Sequence, residues 1–117
     1  MITCVDHIDI KVVDFEETVD FFKKMGFAEK RRTPAPRCSV EMALPGENQV
    51  VFEIHKIDDP AAVGVHHIAF RQTDSGTVDE FKALGMKFIT ENKLIPATGR
   101  SVSSFKDGNG LTWQLTD

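Results

Sequence analysis

The sequence predicts an α+β fold: two tandem β-α-β-β-β modules forming a curved mixed sheet with the helices on its outer face. Three observations predict it. Asp6-His7-Ile8-Asp9-Ile10 resembles His66-His67-Ile68-Ala69-Phe70 at an offset of 60, and Thr18-Val19-Asp20-Phe21-Phe22 resembles Thr77-Val78-Asp79-Glu80-Phe81 at 59. Phe52-Glu53-Ile54 resembles Trp113-Gln114-Leu115 at 61. Matches in the same order at nearly one offset are the mark of an internal repeat, and a drift of one residue is what short loop insertions produce.

Each module follows one order. An alternating strand opens it, Val5 to Val12 and then Val65 to Arg71. A helix follows. In the first copy Asp14 and Glu17 have capping-box spacing, Phe15, Val19 and Phe22 form the apolar stripe, and Gly26 supplies a left-handed stop. In the second copy Asp74 or Ser75 caps, Val78, Phe81 and Leu84 form the stripe, and Gly85 stops it. The next strand covers Ala28 to Thr33, matched by Met86 to Glu91, and a central strand covers Ser39 to Leu44, matched by Ser101 to Phe105. Turns at Pro45-Gly46-Glu47-Asn48 and Asp107-Gly108-Asn109-Gly110 lead into last strands from Val50 to His55 and Leu111 to Thr116. The modules cover about 1–57 and 64–117, joined by a linker at about 58–63, within one domain.

Composition narrows the partners. The chain has 117 residues, a net charge of −4 and 41% hydrophobic residues, all ordinary for a water-soluble globular domain. Lys30-Arg31-Arg32 is too short for a nucleic-acid surface, so no DNA or RNA partner is expected. No apolar run reaches the roughly 20 residues of a membrane span, and the opening residues read as a strand rather than a signal peptide. Cys4 and Cys38 are the two cysteines and lack Cys-x-x-Cys spacing. They are expected as buried or half-buried thiols in a reducing cytoplasm.

Strand alternation then sorts the polar side chains. Ile8, Ile10 and Val12 share one face, and His7, Asp9 and Lys11 the other. Phe52 and Ile54 oppose Val51, Glu53 and His55. Ile68 and Phe70 oppose His67, Ala69 and Arg71, while Leu111, Trp113 and Leu115 oppose Thr112, Gln114 and Thr116. The apolar sets pack under the helices, leaving His7, Glu53, His67 and Gln114 on the concave side. A lone histidine on a polar strand face is usually only solvated, but these four occupy repeat-related places. Two imidazoles, a carboxylate and an amide oxygen suit a divalent first-row metal (Ni, Zn, Co, Mn or Fe) and leave positions open for a substrate. His55 and His66 have no repeat partners and read as ordinary polar residues. Glu41 falls on the cup face, with Val40, Met42 and Leu44 toward the core.

The Asp-His-Ile-x-Ile opening, the restart Gly64-Val65-His66-His67-Ile68-Ala69-Phe70 and the ending Gly99-Arg100…Asp107-Gly108-Asn109-Gly110…Gln114-Leu115 resemble the vicinal oxygen chelate superfamily. It includes glyoxalase I, methylmalonyl-CoA epimerase, fosfomycin- and bleomycin-resistance proteins and extradiol dioxygenases. The resemblance covers essentially the whole chain. It implies His7, Glu53, His67 and Gln114 as metal ligands, a small chelating substrate with neighbouring oxygens, and a homodimer. It also implies a glyoxalase I-like lyase or isomerase that shifts a proton next to a carbonyl. Glu53 and Glu41 are the candidate catalytic bases, Glu41 by its likeness to the epimerases. Arg37, Arg100 and Phe105 are candidate substrate contacts. Gln114 stands where glyoxalase I, the fosfomycin-resistance proteins and the dioxygenases keep a glutamate, and an amide does not take a proton at neutral pH. Rival expectations are a methylmalonyl-CoA epimerase-like enzyme, a metal-free antibiotic-binding protein and, last, an extradiol dioxygenase.

Overall fold

The computed structural model describes Met1–Asp117. Its elements are β1 (Ile2–Val12), α1 (Phe15–Lys24), β2 (Ala28–Thr33), β3 (Ser39–Ala43), β4 (Val51–Lys56), a 3-10 turn at Pro60–Ala62, β5 (Gly64–Gln72), α2 (Gly76–Ala83), β6 (Phe88–Ile95), β7 (Arg100–Lys106) and β8 (Thr112–Thr116). The order β-α-β-β-β occurs twice, as expected. The chain divides into two compact units, His7–His66 and Met1–Asp6 with His67–Asp117. No helix is long and apolar enough to cross a membrane.

In the first unit the strands lie in the order β2-β3-β4-β1. β1 and β4 are parallel, with His7 beside Val51, Asp9 beside Glu53 and Lys11 beside His55. β3 runs antiparallel to β4 and β2, and pairs Glu41 with Glu53. α1 forms because Phe15, Val19 and Phe22 recur at helical spacing and all three are buried, with Glu16 and Glu17 in the first turn and Lys23 and Lys24 in the last, matching the helix dipole. Gly26 ends it in the left-handed region at φ 101°, its N–H donating to the Lys23 carbonyl. The expected capping box does not form. The Asp14 carboxylate makes no cap bond; its carbonyl instead accepts from the Thr18 N–H and from Thr18 Oγ1 at 2.7 Å. The core joins Val12, Phe15, Val19, Phe22, Val40, Met42 and Ile54, with Ile10, Phe27, Cys38 and Phe52 packed against it. Full burial of such side chains contributes roughly 1.5–3 kcal/mol each.

In the second unit the order is β5-β8-β7-β6, with β5 and β8 parallel and the other pairs antiparallel. Of the two capping candidates, Asp74 acts: its Oδ1 accepts from the Gly76 N–H at 2.8 Å, while Ser75 makes no side-chain cap bond. Val78, Phe105 and Leu115 form the core with Phe70, Phe81, Phe88 and Trp113. α2 closes at Ala83, one residue before Leu84, which is therefore exposed instead of completing the stripe.

Other boundaries also differ. β6 runs to Ile95 rather than Glu91 because its pairing with β7 is bulged at Phe88/Thr90 and Thr90/Lys93, and Asn92 takes φ 47°. The Asn92 N–H donates to Ser103 Oγ at 2.8 Å, which anchors the polar stretch in the ladder. Leu44 and Leu111 fall just outside their strands and are exposed, not core. Both cysteines are free thiols; Cys38 is half-buried as expected, whereas Cys4, in the N-terminal half of β1, is exposed.

Candidate functional site

Parallel pairing of β1 and β4 brings His7, Asp9, Lys11, Glu53 and His55 onto one face, and β3 adds Glu41 opposite Glu53. Asp9 is 1% exposed, His7 2%, Glu53 3%, Glu41 8% and His55 9%. Carboxylates removed from water to that degree require charged or hydrogen-bonding partners.

Those partners are present. Arg37 Nη2 donates to Glu53 Oε1 at 2.7 Å, and His55 Nε2 lies 3.3 Å from the same oxygen. His7 Nε2 stands 3.9 Å from Glu53 Oε2. His55 Nδ1 is 2.7 Å from Asp9 Oδ2, and Lys11 Nζ is 3.2 Å from Asp9 Oδ1. Arg31 Nε reaches Glu41 Oε2 at 3.7 Å. Each of the three carboxylates therefore faces a cation.

The second unit repeats the geometry with different chemistry. His67 on β5 pairs with Thr112, and Gln114 on β8 pairs with Ala69, the diagonal relation that His7 and Glu53 have in the first unit. Both are half-buried. Across β7, Gln114 faces Ser104, where Glu53 faces Glu41.

The candidate substrate contacts each meet partners within the chain. Arg37 is engaged with Glu53. Arg100 Nε lies 3.3 Å from Asp6 Oδ2, and Arg71 binds the other Asp6 oxygen through Nη2 at 2.8 Å and Nε at 3.1 Å. Asp6 is buried, and the hydrogen bond it accepts from Arg71 raises that guanidinium's pKa. Phe105 lies apart from the two arginines. It pairs with Trp113 and so lies on the face opposite Gln114, packed against Phe81 and Phe88 in the core. An aromatic residue alternating with Ser104 has to go to the helix side.

His55 is the residue that sequence reasoning passed over. Alternation placed it beside Glu53, but Thr116 occupies its place in the repeat, and repeat symmetry was the filter. Asp9, Glu53 and His55 offer ligand-type atoms within 4.8 Å of one another, so the polar centre of this unit is wider than the two repeat-related residues. His66 is exposed.

A family model described as the Glyoxalase/Bleomycin resistance protein/Dioxygenase superfamily matches residues 5–115. No curated protein matches the sequence. Among solved structures, a methylmalonyl-CoA epimerase variant from Streptomyces coelicolor, in complex with 2-nitronate-propionyl-CoA, aligns with TM-score 0.83 and 18% identity. That alignment covers 99% of this chain and 97% of the epimerase. A methylmalonyl-CoA epimerase from Mycobacterium tuberculosis gives TM-score 0.83 at 15% identity over 98% of this chain and 87% of that one. BphC, a halotolerant catechol dioxygenase, gives 0.73 at 13% over 99% of this chain and 39% of its own length. At these identities the structural likeness shows the fold alone.

Proposed function

The chain belongs to the glyoxalase/bleomycin resistance protein/dioxygenase superfamily, and on that footing we propose that it is a divalent-metal-dependent lyase or isomerase that shifts a proton next to a carbonyl of a small chelating substrate. One observation carries the reading. Glu41 and Glu53 stand opposite each other on β3 and β4, both buried, and His7 Nε2 lies 3.9 Å from Glu53.

The chemistry of the donors suits a divalent metal, and His7 Nε2 and Glu53 Oε2, 3.9 Å apart, need to approach by only about 0.5 Å to share a tetrahedral ion at about 2.0–2.2 Å. His67 and Gln114, at the repeat-related places of the second unit, are the other two proposed ligands. When bound, a divalent ion (Ni, Zn, Co, Mn or Fe) polarises the substrate's oxygens and stabilises the enediolate-like charge.

The protein's own groups divide the remaining work. Glu53 is held at Oε1 by Arg37 at 2.7 Å and His55 at 3.3 Å, which suits a fixed ligand using its other oxygen. Glu41 is held more loosely, with Arg31 at 3.7 Å, which suits the base that takes and returns the proton. Gln114 does not take a proton at neutral pH, so both carboxylate candidates belong to the first unit. A glyoxalase-like hemithioacetal isomerisation and an epimerisation of a 2-substituted acyl thioester both use this step. The cross-strand position of Glu41 favours considering the second alongside the first. The free cysteines support a cytoplasmic setting, and the family resemblance supports a homodimer.

The test is NMR detection of deuterium entering the carbon next to the carbonyl, in D2O, with metal-loaded protein and each substrate class. Exchange slowed about 10²–10⁴-fold in Glu41→Gln, with metal still bound, is the expected result. Absence of exchange with both substrate classes rejects the reading.

A further inference from the structure

We infer that Asp9 and His55 are positioning residues that fix the Glu53 carboxylate, making the first unit the one built to carry a rigid anionic ligand; this rests on the metal-dependent reading above. His55 lies between the two carboxylates, with Nδ1 at 2.7 Å from Asp9 Oδ2 and Nε2 at 3.3 Å from Glu53 Oε1. All three side chains are buried, so their contacts are little weakened by water. Lys11 closes the far end at Asp9 and Arg37 closes the near end at Glu53.

The repeat supplies an internal control. In the second unit Gln114 stands for Glu53, Ala69 for Asp9 and Thr116 for His55. Ala69 and Thr116 are fully buried and carry no charge. The unit with a neutral amide thus lacks both supporting residues, and the unit with a carboxylate has both. A charged side chain at a metal site needs its free oxygen oriented and compensated; a neutral amide needs far less. The triad also offers ligand-type atoms of its own, within 4.8 Å. Its two negative charges are already matched by Lys11 and Arg37, which favours a supporting role over a separate ion site.

The probe is Co2+, followed by calorimetric titration and by its visible d–d absorption, on the full chain with thermal unfolding in parallel. Asp9→Asn and His55→Gln are each expected to weaken Co2+ binding about 10–100-fold and to shift the absorption band, with the melting temperature little changed. Thr116→Val is expected to alter neither. Wild-type protein that binds no Co2+ overturns the metal-dependent reading and this inference with it. Wild-type binding that Asp9→Asn and His55→Gln leave unchanged in affinity and band overturns the inference alone. Binding abolished by those two variants but intact in His7→Ala places the ion in the triad itself and also overturns it. Failure of both variants to fold shows a purely structural role and has the same consequence.

Discussion

Arg37 donates from Nη2 to Glu53 Oε1 at 2.7 Å, and the carboxylate it holds is 3% exposed. A buried charge that loses its partner retains its desolvation cost, so Arg37→Met is expected to destabilise the protein. The Arg37 side chain is 30% exposed, which moderates the loss to about 1–3 kcal/mol. Urea denaturation of wild type and variant measures it. Arg37→Lys should recover only part, because an ammonium does not reproduce the guanidinium fork.

Asp6 gathers two cations, Arg71 and Arg100, around one buried carboxylate. Asp6→Asn leaves both guanidiniums short of a counter-charge. The Arg71 side chain is half exposed and compensates in water, so the expected loss is about 1–3 kcal/mol by urea denaturation. The raised pKa of Arg71 adds no pH dependence in the accessible range, since arginine stays charged throughout it.

Asp107 accepts from the indole N–H of Trp113 at 3.1 Å and from the Asn109 and Leu111 N–H groups. These bonds, Trp113 first, hold its pKa below the ordinary value. A carboxylate with a lowered folded-state pKa contributes stability fully above its unfolded value, about 3.9, and that contribution is lost as pH falls through the folded value. Trp113 is the single tryptophan, so its fluorescence reports the change. The emission should shift in acid below about pH 4 in wild type, before unfolding, and Asp107→Asn should remove that step.

Met86 follows Gly85 as Phe27 follows Gly26, yet Phe27 packs against Phe22 and Phe52 with ring centres 5.0 and 5.5 Å away, whereas Met86 is 41% exposed. Met86 also lines an apolar groove of about 430 Å³ with Ile2, Phe70, Phe81, Phe105 and Trp113. Met86→Phe is expected to fill part of that space and to raise stability by about 0.5–1.5 kcal/mol in thermal and chemical unfolding. A loss of stability would show that the groove does not accept the ring.

The repeat made the fold legible. Helical spacing of Phe15, Val19 and Phe22, closed by Gly26, located α1, and strand alternation located β1, β3 and β4. Bulges defeat alternation, which is why β6 continues through Glu91-Asn92-Lys93 although nothing apolar marks it. Residues one step outside an element, Leu44, Leu84 and Leu111, lose the face the pattern assigned them. Repeat symmetry pointed to His7 and Glu53, but the same criterion hid His55 and Asp9, whose importance lies in breaking the symmetry. The contact of Arg37 with Glu53 was not legible either, because it joins a loop residue to a strand residue whose burial the alternation does not report.

The proposed catalytic divalent metal is tested by metal analysis with calorimetric titration of the purified, reconstituted protein beside His7→Ala. Wild type is expected to bind a single divalent ion per chain, and a folded His7→Ala variant to lose that binding. Wild-type protein that takes up no divalent ion after reconstitution would contradict the proposal.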